Sequence, residues 1–451
     1  MAEERSGQRA EEAQRTSAVD RYFGLSENKT TYRVEGIAGL TTFLAMAYII
    51  FVNPAILGET GMDMDAIFVA TCLAAATGTL VMGLWARYPI AQAPGMGLNA
   101  FFAFTVVIGM GIPWQTALAG TLVSGFLFFL LVLTGVREAI VNAIPLQLKL
   151  AVGAGIGIFI AFIGLDNAGI VAADPDTIVT LGELTAPPTL LAIFGLIVTI
   201  ALLLRGLRGA VFYGIVVTAI AGVVTGLVPT PAAIISPVPS LAPTFGQAFI
   251  NLPELLTAQM AIVVFTMLFV DLFDTTGTLI AVANQAGFLT ADGRLPRANR
   301  ALLSDSIATM AGASMGTSTT TSYIESAAGV GAGGRTGLTS VVTAALFLLA
   351  LAFSPLLAVV TAEVTAPALI IVGVMMARGL GGIEWEKLEY AIPAFVTVVT
   401  MSLTFSIANG IALGLFLFPL AMVFKGRWRE VHPVMYSLFV IFAIYFIWLV
   451  E

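Results

Sequence analysis

The sequence predicts an all-α polytopic membrane protein, and three observations carry that expectation. First, 58% of the 451 residues are hydrophobic and only 10% are charged, with a mean hydropathy of +0.98. A soluble domain carries about 25% charged residues. Second, apolar runs close to the roughly 20 residues needed to cross a bilayer recur along nearly the whole chain. Third, Lys and Arg can all be placed on one side of the membrane, as the positive-inside bias requires.

The runs fall at 37–57, 64–86, 92–109, 113–134, 146–164, 189–204 and 208–227, then at 258–284, 299–315, 317–333, 338–360, 364–378, 389–404 and 407–424. Between the two groups lies a Pro-rich stretch from Pro229 to Pro253. The expected organisation is a polar cytoplasmic tail (1–35), a first seven-span repeat (36–228), a Pro-rich extracellular connection (229–257) and a second seven-span repeat (258–424). A basic segment and apolar helix follow (425–451), the helix being either a fifteenth span or an interfacial element. The tail has no apolar core of the kind a cleaved signal peptide needs.

With the N-terminus inside, Arg87, Arg137, Lys149, Arg205, Arg208, Arg294, Arg297, Arg300, Arg335, Arg378, Lys387 and Lys425 fall in cytoplasmic loops or at their edges. The opposite loops hold acids such as Asp63, Asp174 and Glu254 but no Lys or Arg. The expected location is therefore the plasma membrane, crossed many times, with lipid as the surrounding partner. The net charge of −7 and the absence of a basic patch argue against nucleic acid. One cysteine, Cys72, excludes an intrachain disulfide framework, and one histidine, His432, cannot build a histidine metal cluster.

An odd number of spans per half gives the halves opposite orientations, the arrangement of inverted-repeat transporters with midplane sites at discontinuous helices. Each half has one interrupted span, third in order. Gln92-Ala-Pro-Gly-Met-Gly-Leu-Asn99 carries Pro94, Gly95 and Gly97, all poor in a helix interior. Thr317-Ser-Thr-Thr-Thr-Ser-Tyr-Ile-Glu-Ser326 opens on hydroxylated, mostly β-branched residues, which favour extended backbone. Each predicts an extended piece followed by a half-helix. Such backbone is tolerated at membrane depth only where protein buries it or it lines a cavity.

Acids inside apolar spans mark the candidate site, since each costs roughly 2.5–3.5 kcal/mol on insertion scales. Asp271 and Asp274 lie in the run from about Ala258 to Ala283, and with Thr275 and Thr278 they form one helical stripe. The alternative for this pair is a buried hydrogen-bond network with the threonines. Glu325 follows the second interruption; its alternative is a capping box with Ser322. Asn99 holds the equivalent place after the first interruption, with local capping as its alternative. For Asp305, flanked by Ser304 and Ser306, structural and functional readings are both open.

Together the motifs Gln92–Asn99, Val270-Asp-Leu-Phe-Asp-Thr-Thr-Gly-Thr278 and Thr317–Ser326 resemble the AzgA-like purine permeases, the adenine/guanine/hypoxanthine branch of the nucleobase–cation symporters. The resemblance runs from about Tyr22 to Lys425. It implies a core domain and a gate domain, a homodimer, and a division of labour among the site residues. Asp271, Glu325 and Asn99 would bind the base, with Tyr323 nominated by the tyrosine that lies against the base in the uracil and xanthine branch. Asp274 would couple protonation to movement, with Asp305 and Thr275 beside it.

The chemistry suits a purine, whose N–H groups donate to carboxylates in strong charge-assisted bonds. A desolvated acid can also take up a proton near physiological pH, so one group could link proton movement to base binding. The half-helix N-termini would supply further N–H donors. The expected function is proton-coupled import of purine nucleobases by alternating access, with no cofactor and with sodium as the alternative coupling ion. Two rivals were an anion transporter of the same fold, which acids in the cavity disfavour, and an intramembrane aspartyl protease, which places its acids on separate helices.

Overall fold

The computed structural model describes residues 17–135, 144–290 and 295–448. The start of the tail, with Arg5, Arg9 and Arg15, lies outside the described residues, as do Arg137 and Arg294. A short helix, α1 (Ala18–Phe23), precedes α2 (Tyr32–Met46) and α3 (Ile49–Gly58), which are joined by a turn at Ala47–Tyr48. Then come α4 (Met64–Val81), β1 (Gln92–Pro94), α5 (Met96–Ala100), α6 (Trp114–Thr134) and α7 (Leu146–Asn167). A hairpin of β2 (Val171–Asp174) and β3 (Ile178–Leu181) leads to α8 (Pro187–Leu204) and α9 (Ala210–Thr225). The second half runs through α10 (Gln247–Ile250), α11 (Ala258–Ala286), α12 (Ala298–Met315), β4 (Thr320–Ser322), α13 (Ser326–Gly331) and α14 (Gly337–Ala350). It ends with α15 (Ala362–Ala377), α16 (Leu388–Leu403), α17 (Ile407–Phe424) and α18 (Pro433–Trp448).

Each of the expected apolar runs contains helix. Among the described residues, nine helical stretches are long and apolar enough to cross a membrane, and three shorter apolar helices accompany them. The hairpin of β2 and β3 had no signal in a reading of apolar runs, because its strands are short and lie between two spans. The Pro-rich connection holds only α10 and a single 3₁₀ turn at Leu252–Leu255. Helix α18 packs its Phe439 ring on Phe416 of α17, with centroids 4.7 Å apart, and sets Phe442 against Phe265 of α11.

Both interrupted spans form as expected, and each completes the other. Strands β1 and β4 pair antiparallel, with Gln92 opposite Ser322, Ala93 opposite Thr321 and Pro94 opposite Thr320. The pairing extends through Gly95 N–H to Thr319 O and Tyr323 N–H to Ala91 O, both at 2.9 Å. Backbone groups freed by one break are thus satisfied by the other, which is what a buried break at membrane depth demands. Because the strands are antiparallel, the helices that continue them leave in opposite directions, as inverted halves require.

The helices sort into two bundles. One gathers α2, α3, α4, α6, α11, α12 and α14 around the paired strands; the other gathers α7, α8, α9, α15, α16 and α17. Contacts within each bundle are dense and those between them sparse. This is the expected core and gate division.

Two buried acids lie outside the candidates: Glu389, paired with Arg427 at 2.7 Å in the first turn of α16, and Glu35, at the edge of the polar tail. Glu35, on the first turn of α2, is fully buried. Its carboxylate accepts from the backbone N–H groups of Arg335 (3.0 Å), Thr336 (3.3 Å) and Thr339 (3.2 Å) and from the Thr339 hydroxyl (2.6 Å). It therefore satisfies the open N–H groups at the start of α14.

Candidate functional site

The paired strands, α11 and the turn between α2 and α3 surround a cavity of about 250 Å³ at the seam between the bundles. Its polar lining is Asp274 and Thr278 from α11, Thr321 and Ser322 from β4, Glu325, and the tyrosines Tyr48 and Tyr323. The gate bundle contributes Val372, Met375 and Met376 of α15. Gly95 and Gly97 form the backbone face of the first break. A side chain at Gly97 would press within 2.5 Å of Ile156 Cγ2 on α7, so glycine there lets the half-helix meet the gate closely.

The two acids of the α11 stripe part company. Asp274 is exposed to the cavity, and Thr321 Oγ1 lies 3.5 Å from its Oδ2. Asp271 is buried and does not line the cavity; Thr275 Oγ1 sits 3.5 Å from its Oδ1 and donates at 2.9 Å to Asp305 Oδ2. Asp305 is fully buried and also accepts at Oδ1 from Gln92 Nε2 (3.1 Å) and Ser322 Oγ (2.9 Å). The alternative of a buried network with threonine therefore describes the surroundings of Asp271, whereas Asp274 stands in the open space.

Glu325 is half-buried at the start of α13, and its Oε1 accepts from the Tyr48 hydroxyl at 2.7 Å. No capping box forms: Glu325 is itself the residue before the helix, with no side-chain cap, and Ser322 donates to Asp305 instead. The Tyr323 hydroxyl donates to Pro94 O at 2.5 Å, tying the second break to the first while its ring faces the cavity. Asn99 is fully buried behind this wall, where its carbonyl accepts from the Ser318 hydroxyl. Asn53 joins the same layer, donating to Thr71 (2.6 Å) and Thr317 (2.9 Å).

Tyr48 was missed by the sequence reading. The only signal was position, a tyrosine midway along the first apolar run, and a phenol gives no such penalty in a hydropathy pattern as a carboxylate does.

A wider cavity of about 580 Å³ adjoins the first and shares Gly97, Asp274, Thr278, Ile324 and Met376 with it. Lys149 lines it, its ammonium 5.2 Å from the Phe273 ring, and so does Gly379. Asp274 thus stands where the two spaces meet.

A multi-span helical protein with two bundles, facing broken spans and an acid-lined cavity at the seam has the architecture of a membrane transporter. The chain belongs to the Permease family, whose profile matches residues 34–413. It is 58% identical to "Guanine/hypoxanthine permease PbuG" of Bacillus subtilis (strain 168) over 95% of this chain and 99% of that one. It is 43% identical to "Adenine permease AdeQ" of Escherichia coli (strain K12), over 95% and 96% of the two chains. Among solved structures, the transmembrane domain of the cyanobacterial bicarbonate transporter BicA superposes with a TM-score of 0.63 at 16% identity, over 84% of this chain and 97% of that one. The last likeness establishes the fold alone. The chain is a multi-pass membrane permease and not an enzyme, which removes the protease alternative.

Proposed function

We propose that this permease imports purine nucleobases by proton-coupled alternating access, in the plasma membrane, as a homodimer with its N-terminus in the cytoplasm. The observation that carries the reading is that Asp274 and Glu325, from opposite elements of the core, line one cavity closed on its far side by the gate residues Val372, Met375 and Met376. The relatives named for guanine, hypoxanthine and adenine supply the substrate class.

In this reading a flat base lies between the broken spans with its N–H edges toward Asp274 and Glu325. Carboxylates accept such bonds and cannot donate when ionised, which favours a ring rich in N–H groups and disfavours an anion. Tyr323 gives the base a ring to lie against, and Tyr48 orients Glu325. Asp271, Thr275 and Asp305 form the network behind the base-facing wall, with Asn99 fixing the layer beneath the first break. In this reading the wider cavity, lined by Lys149, is the path between the base and the side that the cation bias assigns to the cytoplasm.

Competition of labelled hypoxanthine uptake by unlabelled adenine, guanine, xanthine, uracil and bicarbonate tests the substrate class. Effective competition by the purines alone is expected; competition by uracil alone, or by bicarbonate, would overturn it. Uptake indifferent to both a pH gradient and a protonophore would remove the proton, and dependence on external sodium would replace it.

A further inference from the structure

A second polar cavity, of about 230 Å³, lies away from the seam, between α1, the end of α4 and the start of α12. Four arginines line it: Arg21, Arg87, Arg297 and Arg335. Glu27 is the one acid among its lining residues. Among the described residues none of the four arginines takes part in an ion pair. The nearby Asp20 is engaged elsewhere: the Ser26 hydroxyl and backbone N–H hold its carboxyl below the usual range, donating at 2.6 and 2.9 Å.

Aromatic rings hold two of the arginines in place of carboxylates. The Arg87 guanidinium lies 4.4 Å from the Tyr22 ring centroid, and that of Arg297 lies 4.9 Å from the Tyr88 ring. Tyr22 in turn donates to Leu84 O at 2.7 Å and Tyr88 donates to Pro296 O, so both rings are fixed. The Arg335 guanidinium is anchored by Val330 O and Gly334 O, each at 2.7 Å. Stacking on a ring face fixes a guanidinium without neutralising it and leaves its in-plane N–H edges to a ligand.

The backbone adds an independent sign. Arg87 and Arg297 both adopt left-handed φ values, 60° and 56°, and both bring their side chains to this one cavity. Non-glycine residues in that region are strained, and such strain gathers at ligand clamps. Glycine would occupy either position with less cost, so the arginine side chains are what the positions retain.

We propose that this cavity is a phosphate-binding site, distinct from the transport cavity, that takes a phosphate group from the cytoplasmic side. Four arginines against a single carboxylate, Glu27, with no ion pair to any of them among the described residues, match the oxygens of a phosphate, which guanidiniums can grip in pairs of parallel N–H bonds. Leu84 and Trp85, each 41% exposed just before Arg87, set the cavity at the depth of an interfacial aromatic belt. The phosphate can therefore belong to an anionic lipid headgroup or to a soluble phosphate compound, and the site chemistry is the same.

The test uses the purified full-length protein with two probes. Labelled pyrophosphate is measured by equilibrium dialysis, and phosphatidylglycerol against phosphatidylcholine by native mass spectrometry. In the double variant Arg87→Gly, Arg297→Gly, which keeps the left-handed backbone, affinity for at least one probe should fall by roughly tenfold or more. Loss of pyrophosphate binding assigns a soluble ligand; loss of phosphatidylglycerol preference alone assigns a lipid. The proposal is overturned if the parent protein binds neither probe or if the variant binds both as the parent does. Should the double variant fail to fold, the single change Arg297→Gln, at an exposed helix start, must lower the same affinity or the proposal fails.

Discussion

Gln92 and Ser322, opposite one another in the two-stranded ladder, both donate to the same oxygen of Asp305. One buried carboxylate thus fixes the register between the two broken spans, and Thr275 ties it to α11 through the other oxygen. The wall of the transport cavity is held from behind by this acid.

Asp305→Asn should therefore act through the wall. The amide keeps one oxygen but turns an N–H₂ group toward donors, and each lost bond to a charged acceptor is worth about 1.5–3 kcal/mol. Thermal unfolding of the purified protein should show a clear drop in midpoint, together with weakened purine binding. An unchanged midpoint would show that the ladder does not depend on Asp305.

The two acids of α11 should separate by assay. Asp274→Asn removes a cavity-facing acceptor and should weaken equilibrium purine binding by about 10- to 100-fold, the equivalent of 1.5–3 kcal/mol, with the unfolding midpoint preserved. Asp271→Asn, in the buried network with Thr275, should instead shift the midpoint and leave affinity unchanged. The reverse pattern would move the base to the Asp271 side of the helix.

Tyr48→Phe keeps the ring and deletes one hydroxyl. Glu325 then loses its 2.7 Å donor and its fixed orientation. The expected result is a KM for purine uptake raised by about tenfold, with normal membrane expression, in line with one charged hydrogen bond. Uptake kinetics identical to the parent would show that Glu325 needs no such support.

Helices α7 and α15 cross at Gly157, where an added methyl would fall 2.5 Å from Met376 Cβ and 2.8 Å from Gly373 O. Gly157→Ala should cost about 1–3 kcal/mol through overpacking. It should also displace Met376, which lines both cavities, so the melting midpoint and the purine affinity should fall together. A change in neither would mean that the two helices can part without cost.

Much of this was legible in the chain. Pro94, Gly95 and the run Thr317–Ser322 disfavour helix locally, and local backbone preference does not wait for tertiary structure. What no local rule could supply was that the two breaks pair with each other, since strand pairing across more than 200 positions of sequence is decided by folding. Tyr48 and Glu35 escaped for related reasons. A tyrosine in an apolar run and a glutamate at the edge of a polar tail both look ordinary until their partners, Glu325 and the start of α14, are brought to them.

The stretch around Asp271 and Asp274 divides the two kinds of information. The sequence by itself determined that acids lie inside a helix crossing the membrane, because apolar length and the cost of a buried charge are properties of the chain. Three residues apart, the two carboxylates point about 60° from one another around the helix axis. Which of them meets the cavity and which meets Asp305 depends on how α11 is rotated between the strand ladder and the seam. Only packing fixes that rotation, and it turns Asp274 toward the cavity and Asp271 toward the buried network.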